Sequence, residues 1–210
     1  MADFIRGTWS TALSQRTRYL KAIQLLHSQK IRWIFGDGTA HNEVYIISVD
    51  GVHCRINEPR HDPSSKWYSQ KFNKAGLTYE VAVAIFHDKI VWFNGPFPAS
   101  YNDWKIFTME DGLIYMIPQG KLAVADNGYA FDETKVSTYN QFDGDDVCQF
   151  KQRVKARQES LNSRIKAFKV MSEDYKVKGD ARLEKHETVF VSILVVIQYD
   201  MDNGKGLFKV

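Results

Sequence analysis

Residues 77–86 alternate strictly, with Tyr79, Val81, Val83 and Ile85 interleaved with Thr78, Glu80, Ala82 and Ala84. A period of two places successive side chains on opposite faces of a sheet, so this stretch predicts a strand whose two faces differ. Residues 43–49, 67–73 and 89–94 read as further strands, and three consecutive antiparallel strands are expected before the turn Gly95-Pro96-Phe97-Pro98. Gly36-Asp37-Gly38 breaks the chain ahead of the first strand, and the Pro, Asp and Ser of 57–65 predict a loop.

The chain then changes period. Residues 100–111 predict a short helix capped by Ser100 or Asn102, and 120–125 is an apolar run of strand length. The polar, acidic segment 129–146 reads as a long surface loop. Residues 147–171 read as one helix, in which Phe150, Val154, Leu161, Ile165 and Phe168 are apolar anchors. Gln152, Lys155, Glu159, Asn162 or Ser163, Lys166 and Val170 share its other stripe. A charged connector spans 172–185. Residues 188–199 are a buried helix or a strand, because their β-branched content leaves the period undecided.

Three acids stand out against this pattern. Asp50 and Asp126 each close an apolar run and precede Gly51 or Asn127-Gly128, as side chains at strand ends would. Taken alone, Asp50-Gly51 reads equally as a hairpin turn. Glu159 lies in the long helix. If the fold gathers them, the three carboxylates make an oxygen-only site suited to Mg2+ or Mn2+, and two such ions can activate water and stabilise a leaving oxygen in phosphodiester cleavage.

The net charge of +3 on 210 residues names no partner. Its distribution says more: residues 147–171 carry seven basic residues against Glu159 alone, a local balance of +6. Such a run is commonly a solvated helix face. Here the helix also carries the candidate third ligand, which favours a phosphate backbone as partner. The 44% hydrophobic content suffices for one substantial core. Cys54 and Cys148 form no CxxC pair and fit a reducing compartment. Residues 1–10 lack the apolar core of a signal peptide, and the most apolar segment, 189–199, is too short to span a bilayer, so a soluble protein is expected. Residues 10–29 read as a basic amphipathic helix with Leu13, Leu20, Ile23 and Leu26 on one side.

The element order β-β-β-α-β-α, with acids at the first strand, the fourth strand and the last helix, is that of a ribonuclease H-like fold. With it, the chain resembles the DDE-type transposases of the PIF/Harbinger group. The resemblance rests on Val49-Asp50-Gly51-Val52-His53, on Trp67 to Lys71 with Gly76 to Val81, and on Asn94 to Pro98 with Asn102-Asp103. It continues through Ala125 to Tyr129, Ala156-Arg157-Gln158-Glu159 with Asn162, Arg164 and Lys166, His186 to Phe190, and Gln198 to Phe208.

That resemblance implies an α/β, ribonuclease H-like fold: a mixed central sheet of three antiparallel strands plus parallel strands, flanked by helices. It implies a catalytic domain over 41–210, preceded at 1–40 by a basic helical segment that reads as the remnant of a longer N-terminal region. Asp50, Asp126 and Glu159 would hold two divalent ions, Mg2+ or Mn2+, with Asp50 bridging them. The enzyme would hydrolyse transposon ends and use the freed 3′ hydroxyl to attack target DNA. Lys155, Arg157, Arg164 and Lys166 would grip phosphates. His53 is an auxiliary candidate that reads equally as structural, and Asp103 matches an Asp of the family pattern but reads as a helix cap or buried acceptor. Members of this family rely on a helical DNA-binding domain or a separate Myb-like partner. Residence in the nucleus follows from the substrate. The rival readings are a transposase-derived DNA-binding protein without catalysis, another ribonuclease H-like nuclease, and an inert fragment. Trp67, Trp92 and Trp104 read as core residues rather than base-stacking platforms.

Overall fold

The computed structural model describes residues 9–36, 43–59, 65–140, 142–176 and 182–210. Residues 1–8 of the first ten, 37–38 of the 36–38 break, 60–64 of the 57–65 loop and 177–181 of the 172–185 connector lie outside these residues.

β1 (Tyr45–Arg55) continues through Asp50-Gly51 instead of turning there. Asp50 pairs with Val81 and Gly51 with Glu80 in an antiparallel ladder to β3 (Lys74–Ala84). The reason is burial: Val49 and Val52 are 2% and 1% exposed, and a turn between them would return both to water. The strand expected over 67–73 shrinks to β2 (Tyr68–Ser69), which turns back onto β3 through Asn73 at φ 51°. β4 (Ile90–Pro98) absorbs the expected turn at 95–98. It keeps pairing Leu77 with Pro98 and Thr78 with Phe97, across a register shift that Gly95 allows at φ 127°.

β5 (Leu122–Val124) lies parallel to β1. β6 (Val136–Ser137) lies parallel to β5 inside the segment read as loop, and its two residues are too few to show a period. The sheet runs β2-β3-β1-β5-β6, with β4 also paired to β3. A mixed sheet of this order flanked by helices is the ribonuclease H-like arrangement.

Helices cover both faces. α4 (Asp145–Lys166) and α6 (Arg182–Asp202) pack on the face that presents Val52, Tyr79 and Val81, burying Leu161, Ile165, Phe190 and Leu194 there. The undecided segment 188–199 is therefore helical: Phe190, Val191, Ile193, Leu194 and Val195 are all buried, so packing sets the conformation that β-branching left open. α3 (Asp103–Phe107), capped by Asn102, covers the other face with Ile47, Val49, Ala82, Phe107, Leu113 and Tyr129. The N-terminal helix is α1 (Trp9–Gln24) followed by the short α2 (His27–Lys30), and the long helix ends at Lys166, with α5 (Lys169–Ser172) after an extended Phe168. Trp67 is buried, and Trp92 and Trp104 pack against the core. Among the described residues no helix is long and apolar enough to cross a membrane.

Candidate active site

Asp50 sits near the middle of β1 on the face that meets α4. Its Oδ1 accepts the Gly51 N–H at 2.8 Å and its Oδ2 accepts the Asn162 side-chain amide of α4 at 2.7 Å. One turn earlier, the Oε1 of Gln158 accepts the Ser48 hydroxyl at 2.8 Å, and its amide reaches the Val81 carbonyl at 3.2 Å. Ser48 and Asp50 are two residues apart on a strand, while Gln158 and Asn162 are four apart on a helix, so both pairs present matching faces. These contacts fix the azimuth of α4. Glu159, one residue past the buried Gln158, then stands exposed at the edge of the same helix.

Asp126 follows β5, the parallel neighbour of β1, so it emerges beside Asp50. Its Oδ1 accepts the Gly128 N–H at 2.8 Å, capping the short turn Asn127–Tyr129. Asp50, Asp126 and Glu159 all line one cleft of about 540 Å³, together with Lys71, Tyr139, Lys151 and Lys155. The cleft thus receives an acid from a central strand, a strand end and a helix. Among the described residues, however, no three Asp, Glu, His or Cys side chains stand close enough to form a preassembled cation site.

Burial pushes the Asp50 carboxyl above its ordinary range, and the charge of Asp126 adds to that, while the Gly51 N–H, Lys71 and Asn162 oppose it. Asp103 opens α3 on the opposite face of the sheet and is not its cap, which is Asn102. It wedges between the two acid-bearing segments: a Cβ on Gly51 would lie 2.8 Å from one Asp103 oxygen, and a Cβ on Gly128 would lie 2.8 Å from the other. Both glycines are thus explained by close approach, and Gly51 is no turn residue. Burial, then the charges of Asp126 and Asp50, raise the Asp103 carboxyl to about 6. Beneath this layer Glu80 is 1% exposed. Its Oε1 accepts the Trp92 indole N–H at 3.0 Å, while its Oε2 and the nearby Tyr129 hydroxyl have no partner among the described residues. Burial holds the Glu80 carboxyl up at about 8.

His53 does not line the cleft, although its Nε2 would lie 3.6 Å from a Cβ on Gly51. Its Nδ1 meets the Thr78 hydroxyl at 3.0 Å and its ring packs edge-on against Phe72. Burial, helped by Lys71 and Lys166, lowers it to about 4, so the ring is neutral at physiological pH.

The basic helix divides into two groups. Arg157 is 2% exposed and donates to the carbonyls of Phe208 and His87 and to Asp88. Arg164 donates to the carbonyls of Lys205 and Gly206, and Lys166 to those of His53 and Met171. Lys151 is held by Asp143 and the Thr138 carbonyl. These cations bind the protein to itself. Lys155 alone of the four expected phosphate contacts is exposed and lines the cleft.

Sequence reasoning gives Ser48 no place and Gln158 no role of its own, because their roles depend on pairing a strand face with a helix face. Lys71 is likewise left without a role, because it reaches the cleft from the turn after β2. The sequence model of the DDE superfamily endonuclease family matches residues 49–196. No curated protein and no solved structure matches the chain.

Proposed function

The chain belongs to the DDE superfamily endonuclease family, and from that premise we propose that it is a divalent-cation-dependent DNA endonuclease of the PIF/Harbinger transposase type. It cuts phosphodiester bonds at transposon ends and joins the 3′ ends to target DNA. The observation that carries this reading is that Asp50, Asp126 and Glu159, supplied by three separate elements, line a single cleft.

The residues fit a hard cation in kind. All three donors are carboxylates, and burial with the Asp126 charge already disfavours the ionised form of Asp50, a cost that a positive ion relieves. Asp50, Asp126 and Glu159 are the residues that would hold Mg2+ or Mn2+. When bound, the cation supplies activation of water and neutralisation of charge at the departing 3′ oxygen. Asn162 and the Gly51 N–H orient Asp50, Gln158 keeps α4 in place, and Lys155 binds the DNA backbone, adding affinity that falls with salt and carries little sequence information. Recognition of specific ends falls to a helical DNA-binding partner of Myb or helix-turn-helix type, and the substrate places the protein in the nucleus.

The lack of a preassembled three-acid site among the described residues favours a second reading, a DNA-binding module derived from such an enzyme without its catalysis. Incubation with supercoiled plasmid and Mg2+ or Mn2+ separates the two. Nicking by the wild type, reduced at least ~10²-fold in each of D50N, D126N and E159Q, is expected for the enzyme. Plasmid bound but left intact at high protein concentration refutes it.

A further inference from the structure

Lys71 stands in the turn between β2 and β3 and lines the wall of the acid cleft. It is exposed, and among the described residues no ion pair or hydrogen bond engages its ammonium group. The other cations near the cleft are placed differently. Lys151 is bound to Asp143 and Thr138, and Lys155 projects from α4 on the helix wall with Glu159. Lys71 instead comes from the sheet side. Its charge is felt at Asp50, Asp103 and His53, which places it close to the acids. An ammonium group with no ion-pair partner among the described residues, and the exposed Lys155 brought in by a different element, thus line the same cleft as Asp50, Asp126 and Glu159. Cations from two elements sharing a cleft with carboxylates match a phosphodiester whose non-bridging oxygens meet the ammonium groups while its reacting bond lies near the acids.

We propose that Lys71 binds a non-bridging oxygen of the scissile phosphodiester and is a catalytic residue of the cleft. This rests on the DNA-cleaving reading given above. A flexible four-carbon stem on a turn suits the role, because the ammonium group can follow the phosphate as charge builds on it. The contact would be worth more at the reacting phosphate than along the backbone, where one lysine among several contributes only diffuse attraction.

The test compares wild type, K71A and K71R on a supercoiled plasmid in Mg2+ or Mn2+, measuring the single-turnover nicking rate at saturating protein. Binding of a labelled duplex in Ca2+ and the Tm are measured alongside. K71A is expected to nick roughly 10²-fold more slowly, to bind duplex within about threefold of wild type, and to keep its Tm. K71R, which restores the positive charge, is expected to return to within roughly tenfold of wild type. A K71A protein that nicks as fast as a competent wild type refutes the assignment of Lys71 and leaves the nuclease reading intact. So does a loss of rate matched by an equal loss of duplex affinity, which marks Lys71 as a general backbone contact. A wild type that nicks no plasmid refutes the nuclease reading, and this inference with it.

Discussion

Arg157→Met removes a guanidinium from the middle of α4 and keeps an unbranched apolar stem of similar length. In the wild type, Nη1 reaches the Phe208 carbonyl at 2.5 Å, and Nη2 reaches the His87 carbonyl at 2.8 Å and Asp88 at 2.9 Å. Two partly buried carbonyls lose their donor, at about 1–3 kcal/mol each for an acceptor left unsatisfied. Asp88 is 45% exposed, so water replaces its partner and the ion pair adds little. Part of the loss is offset because Nε of Arg157 is itself buried without a partner. A net cost of roughly 3–4 kcal/mol follows, or a Tm lower by roughly 6–16 °C in a chain of this size. Circular dichroism melts give the Tm, and fluorescence anisotropy with a labelled duplex below the transition gives DNA affinity, which should change less than about twofold. A melting temperature within about 2 °C of wild type, accompanied by weakened DNA binding, would refute the assignment of Arg157 to the fold.

Two further outcomes follow from the layer under the cleft. Glu80 is raised from 4.5 to about 8, so between those values the native state holds more protons than the unfolded chain and stability falls as pH rises. E80Q removes that decline, and its Tm advantage over wild type should widen by at least roughly 4 °C between pH 5 and pH 9; parallel Tm–pH curves would contradict this. Gly51→Ala forces a methyl against Asp103 and should cost about 1–3 kcal/mol in urea denaturation. In the G51A/D103A double variant most of that cost should disappear, whereas additivity within about 0.5 kcal/mol would disprove the wedge.

The sequence reveals most of the frame, because long periodic stretches carry their own evidence: the alternation around Val81 and Val83, and the apolar stripe of α4, both appear where expected. Its failures share one cause. Asp50-Gly51, the 95–98 segment and β6 look like turns or loop by local chemistry, and tertiary pairing overrides that chemistry in each case. The 188–199 segment was undecidable for the same reason, since only the partner surface distinguishes a buried helix from a buried strand. The three acids that line the cleft stood out in the sequence because each closes an apolar run or interrupts a basic helix. The partners that orient them did not. A count of positive charges along α4 could not foretell that Arg157, Arg164 and Lys166 meet carbonyls of the chain itself.

The arginines of α4 also reach the last residues of the chain. Arg153, Arg157 and Arg164 donate to the carbonyls of Lys209, Phe208, Lys205 and Gly206, while Gln158 and Asn162 hold the helix to the sheet on its other side. A cylinder gripped along two opposite lines cannot roll about its axis without releasing both. The backbone under Glu159 is thereby held from both sides, and the freedom left to that carboxylate is the freedom of its own side-chain torsions.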